Sequence, residues 1–166
     1  MNKKFLWLLF SVMLLLPSLS YGQNGKKKVT EYCNDYHIKH CKFQQKDIGY
    51  KYNSQSRSAL FKPGQKSTFK VSVFKGHDYR MTFKGEDILL QGKPLMFKVM
   101  DSKTKKVFYQ TSEENWNPDF EFYCSHSMNL VVELLLPEVP YKPNDEVLYG
   151  CLGFLMENRH SIKTGF

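Results

Sequence analysis

From Phe69 to Lys84 the residues change sides one by one: Phe69, Val71 and Val73 alternate with Lys70 and Ser72, and Tyr79, Met81 and Phe83 with Arg80, Thr82 and Lys84. A period of two is the repeat of a pleated strand, whose successive side chains point to opposite faces; an amphipathic helix would repeat at 3.6. Lys75-Gly76-His77-Asp78 separates the two runs as a short turn, which predicts a hairpin. Leu95, Phe97 and Val99 continue the alternation, Asp101 to Lys105 form a polar turn, and Val107 to Tyr109 return. Phe120, Phe122 and Cys124 alternate with Asp119, Glu121 and Tyr123. Leu130 to Leu136 and Val147 to Met156 are more continuously apolar, as central strands covered on both faces are. Seven or eight short strands with evenly spaced turns predict a mainly β protein, an antiparallel β-sandwich or jelly roll over residues 59–166.

Residues 1–22 have another character. Lys3 and Lys4 precede an apolar stretch, Phe5 to Leu16, interrupted only by Ser11; Pro17 breaks it, and Ser20 and Gly22 place small residues before Gln23. This is the three-part pattern of a cleaved signal peptide. The stretch is shorter than the ~20 apolar residues that span a bilayer, so the chain is expected not to span a membrane. No cysteine follows it, which argues against a lipoprotein. The expected location is periplasmic or secreted. Without its leader the chain keeps 144 of 166 residues, enough for one domain with a core, and its charge falls from +8 to +6 as Lys3 and Lys4 leave. Apart from Lys26-Lys27-Lys28 and Lys103 to Lys106 the basic residues are scattered. Nucleic-acid binding wants a concentrated stripe and a recognisable module, and neither is present.

Residues 23–58 read as an N-terminal helix and connector. Val29 to Lys46 lacks Pro and Gly, and Tyr32, Cys33, Tyr36, His37, His40 and Cys41 recur at helical spacing, with Thr30 as a candidate N-cap. Four cysteines in an exported chain, Cys33, Cys41, Cys124 and Cys151, favour two disulfides. On one continuous helix Cys33 and Cys41 stand ~12 Å apart, beyond the ~7 Å reach of a disulfide, and one or both then pair with Cys124 or Cys151. If the segment turns midway, Cys33–Cys41 and Cys124–Cys151 are the natural pairs. The spacing leaves both open.

No catalytic constellation stands out. Cys33, His37 and Cys41 share a helical side and are zinc-type ligands, but oxidised cysteines do not ligate. Cys124-Ser125-His126 sets a thiol near an imidazole without an orienting third group. Acids at Glu86-Asp87, Asp101, Glu113-Glu114, Asp119 and Asp145-Glu146 lie in predicted loops or at strand ends, where a structural calcium is conceivable but no contiguous calcium loop exists. No cofactor is therefore expected. Trp116, Tyr109 and Tyr141 are the aromatics placed to stack on a sugar or anchor a partner.

Gly76-His77-Asp78-Tyr79 opening a strand, Phe97-Lys98-Val99-Met100-Asp101, and a closing glycine-bearing strand resemble the bacterial pre-peptidase C-terminal domain, a secreted jelly roll. Ser54 to Phe61, Gly76 to Tyr79, Gly150 to Leu155 and Lys163 to Phe166 resemble uncharacterised exported proteins of Bacteroidetes-type bacteria. The resemblance implies an exported, periplasmic β-sandwich and carries no activity with it. The functional expectation is a non-enzymatic interaction module for an unknown protein or glycan partner. A carbohydrate-binding module using Trp116, or a hydrolase with a scattered site, are the alternatives.

Overall fold

The structure is a computed structural model and describes residues 32–41, 49–112, 114, 116–140 and 148–161. The predicted leader, Thr30, Tyr141, Glu113 and Asp145-Glu146 lie outside the described residues. The strands are β1 (Lys51–Tyr52), β2 (Arg57–Phe61), β3 (Lys66–Val73), β4 (His77–Gly85), β5 (Met96–Asp101), β6 (Val107–Gln110), β7 (Asp119–Cys124), β8 (Met128–Leu135) and β9 (Gly150–His160). Two short helices, α1 (Tyr36–His40) and α2 (Asp87–Leu90), accompany them.

Two antiparallel sheets form a sandwich. One has the order β1-β9-β4-β7, with β2 beside β1 on the same edge of β9; the other has the order β3-β8-β5-β6. Read as β2-β9-β4-β7 over β3-β8-β5-β6, this is the strand order of a jelly roll, in which the chain keeps crossing between sheets. The alternation seen in the sequence supplies the inner faces. Tyr79, Met81, Phe83, Phe120, Leu152, Phe154 and Met156 face Val71, Val73, Phe97, Val99, Leu130, Val132 and Leu134 in a single buried cluster. Phe83 meets Phe97 at 4.2 Å and Phe69 meets Phe154 at 5.0 Å between ring centres, joining the two layers.

The β5–β6 hairpin forms as expected. Asp101 Oδ1 accepts the N–H groups of Lys103 (2.6 Å) and Thr104 (2.8 Å), and these bonds hold its carboxyl below its ordinary range. The predicted β3–β4 hairpin does not form: β3 pairs with β8, and β4 lies between β7 and β9. Alternation says which face a residue takes, not which strand lies beside it. Phe74 to Gly76 instead carries the chain from one sheet to the other. Gly76 turns the corner at φ 83°, a left-handed conformation that disfavours a Cβ, and Phe74 N–H donates to the Tyr79 hydroxyl at 2.8 Å.

The N-terminal segment departs further from expectation. Within the described part of Val29 to Lys46 the helix is not continuous: Tyr32 is helical, Cys33 to Asp35 form a turn in which Asp35 has φ 59°, and α1 then covers Tyr36–His40. The expected boundary between connector and sandwich, at residues 58 and 59, falls inside β2, and β1 already belongs to the larger sheet. Of the two expected disulfides, one is present: Cys33–Cys151, with Cα atoms 5.4 Å apart. Cys41 and Cys124 are buried free thiols. They cannot pair, because they occupy opposite faces of the five-stranded sheet. Cys124 belongs to the core between the sheets, whereas Cys41 lies under α1 against Gly153 on the outer face. A disulfide fits an oxidising compartment. Among the described residues no helix is long and apolar enough to cross a membrane.

Candidate functional site

The two outer faces of the sandwich differ. On the five-stranded sheet α1 packs over β9, and the polar positions beyond it are tied to one another. Arg80, buried in the middle of the sheet, pairs with Glu157 at 2.6 Å, and Arg159 pairs with Asp78 at 3.2 Å. The Tyr50 ring lies beneath both guanidinium groups, 4.3 and 4.5 Å from them. Charge this deep is tolerated only with partners, so the network reads as a lid on the sheet.

His37 anchors α1 beside that network. Ser58 Oγ accepts the His37 backbone N–H at 2.8 Å and lies 2.7 Å from Nδ1, while Nε2 lies 3.1 Å from the Tyr52 hydroxyl. The serine–histidine contact looks like a nucleophile with its base, but both faces of this hydroxyl already serve to dock the helix. Burial lowers the His37 pKa from its ordinary 6.5, with Asp35 pulling the other way. The folded state thus prefers the neutral ring, and the unfolded chain protonates first on acidification. Stability from this group is complete above pH 6.5 and declines as pH falls toward the lowered folded value. Chemical denaturation between about pH 7 and pH 5 should give a steeper loss for the wild-type chain than for His37→Gln. Equal slopes would show that His37 is not held neutral.

Among the described residues no helix covers the outer face of the four-stranded sheet. Its cross-strand rows, read from the register, are Lys66–Leu135–Met96, then Thr68–Glu133–Lys98–Gln110, then Lys70–Val131–Met100–Val107. A groove of about 460 Å³ runs over the first two rows. Met96 and Leu135 give it an apolar floor, and Lys66, Thr68, Lys98, Gln110 and Glu133 give it polar walls. Lys98 and Glu133 pair across the strands at 2.9 Å. Lys66 and Lys70 therefore leave this face with a positive excess. Two lysines and a methionine facing outward from sheet strands give no sequence signal of a site, which is why reading the chain alone passed over them.

The aromatics singled out in the sequence are not gathered here. Trp116 is 52% exposed in the connection between β6 and β7. Tyr109 turns inward instead: its ring packs against Phe97 (5.4 Å) and Phe120 (4.6 Å), and its hydroxyl donates to the Asn117 carbonyl at 3.0 Å. It closes the end of the core rather than offering a platform.

The cysteine chemistry is likewise subdued. Cys33 is in the disulfide, so it is lost to any ligand set with His37 and Cys41. Burial pushes the Cys41 thiol up to about 12, against backbone hydrogen bonds from Lys84 and Leu155. Burial also raises Cys124, whose Sγ donates to the His126 carbonyl at 3.0 Å, while the His126 ring contacts Ser125 Oγ at 2.9 Å. Neither thiol is poised as a thiolate nucleophile. Among the described residues no three His, Cys, Asp or Glu side chains converge as a metal cluster. No family model matches this chain, and no curated protein is significantly similar to it.

Proposed function

We propose that this chain is an exported, non-enzymatic binding module that receives an acidic glycan on the outer face of its four-stranded sheet. Export is supported by the leader pattern and by the disulfide, and the non-enzymatic reading by the burial of the Cys41 and Cys124 thiols and by the use of the Ser58 hydroxyl to dock α1. The observation that carries the ligand class is the groove itself. Lys66 in the groove and Lys70 in the adjoining row supply positive charge unbalanced within the sheet rows, Thr68 and Gln110 supply hydrogen bonds for hydroxyls, and Met96 and Leu135 supply an apolar floor for a sugar ring. Like a surface ion pair, the attraction is screened by salt.

The test separates this face from net charge. Lys66→Glu with Lys70→Glu should weaken retention on an immobilised uronic-acid polysaccharide at least tenfold. Lys39→Glu with Lys51→Glu, which changes the charge equally on α1 and on β1 of the five-stranded sheet, should weaken it much less. Equal losses in the two double variants would reduce the binding to bulk electrostatics and remove the groove from consideration. Binding to anionic vesicles but not to the polysaccharide would move the assignment to a membrane surface.

A further inference from the structure

The strand pairing brings together two histidines that lie far apart in the sequence. His77 begins β4 and His160 ends β9, and the two are direct partners in the antiparallel ladder. Their rings stand 4.2 Å apart between centres, inclined at 38°. His77 is half-buried and His160 exposed, so the pair sits at an open end of the sheet that solvent reaches. His77 Nδ1 lies 3.3 Å from the Lys75 carbonyl. A carbonyl can only accept, so this contact places the ring proton on Nδ1 and leaves the Nε2 lone pair available. Metal-ligating histidines are commonly oriented by such a bond. The His160 ring hydrogen-bonds to none of the described residues.

We propose that His77 and His160 chelate one divalent transition-metal ion, binding copper(II) most tightly and nickel(II) and zinc(II) less so. Two imidazoles bound to one ion at ~2.0–2.1 Å per metal–nitrogen bond and near a right angle bring their ring centres to ~4.5 Å, close to what the ladder already imposes. The remaining coordination positions belong to water or to an exogenous ligand. Cys124 is the next residue in the same row, opposite His77. Its S–H donates to the His126 carbonyl and its thiol is buried, so it is not a ligand. Affinity for nitrogen ligands rises from zinc and nickel to copper in the usual order.

Titration of the untagged, disulfide-bonded chain with copper(II), followed by electron paramagnetic resonance, should show one equivalent bound through two nitrogen donors. Because the second imidazole binds intramolecularly, removing either one should weaken binding about 100-fold. His77→Phe and His160→Phe are the informative variants, since phenylalanine keeps a ring in the stack and has no donor nitrogen. Combined replacement of His40 and His126 by Gln should leave binding unchanged. Stoichiometric binding that survives both Phe variants, or a two-nitrogen signal lost only on changing His40 and His126, would overturn the site. The absence of any bound copper at micromolar concentration would do so as well.

Discussion

Replacing Cys33 and Cys151 together by alanine should lower the stability of the fold by about 4–5 kcal/mol. The bridge closes a loop of 118 residues, and the chain-entropy relation gives roughly 5 kcal/mol for a loop of that length at 25 °C. Nearly every strand lies inside the loop, so the constraint on the unfolded chain bears on the whole sandwich. A loss of this size corresponds to a fall in the thermal midpoint on the order of 15 °C. A reducing agent should produce the same fall in the wild-type chain and none in the double variant. A second measurement fixes the cysteine accounting. Alkylation without reductant should label neither thiol in the folded protein and two per chain, Cys41 and Cys124, in denaturant. A midpoint that moves by less than a few degrees on reduction would mean that the bridge holds only α1 and not the fold.

The cysteines also mark where reading along the chain stops. Four thiols in an exported sequence suggest two bridges, and nothing local says that Cys41 and Cys124 end on opposite faces of one sheet. That follows from the close seating of α1 on β9, a long-range contact. The same division runs through the rest of the molecule. Which residues face inward was legible, because Tyr79, Met81 and Phe83 announce their face by period alone. Which strands touch was not: the corner at Gly76 has the look of a hairpin turn and instead carries the chain to the other sheet. The continuous apolar run before Met156 did reveal a central strand covered on both sides, since Gly150 to Met156 are all buried. Of the candidate sites, neither the groove nor the His77–His160 pair could be read in advance. Both are made by register between strands distant in sequence, and a histidine at the end of an alternating run carries no mark of its partner.

Gly153→Val should lift α1 from the sheet, at a cost of about 3 kcal/mol, the upper part of the usual range for overpacking. The reason lies in how the helix is seated. A Cβ at residue 153 would come within 2.8 Å of the His37 Cα and 2.9 Å of the Cys41 Sγ. The first of these is backbone and cannot turn aside as a side-chain tip would. Gly153 faces outward between Cys151 and Leu155, so its missing side chain is the space that α1 fills. The sandwich interior is untouched by the change, and Cys33–Cys151 still tethers the segment. The chain should therefore stay folded with its helix displaced, and Cys41 should become open to alkylation without denaturant while Cys124 stays protected. Burial is the largest cause of the raised Cys41 pKa, so exposure should also bring that thiol down toward ordinary reactivity. If Cys41 stays unreactive and the thermal midpoint does not move, α1 is not held against Gly153, and the lid over the five-stranded sheet must be sought elsewhere.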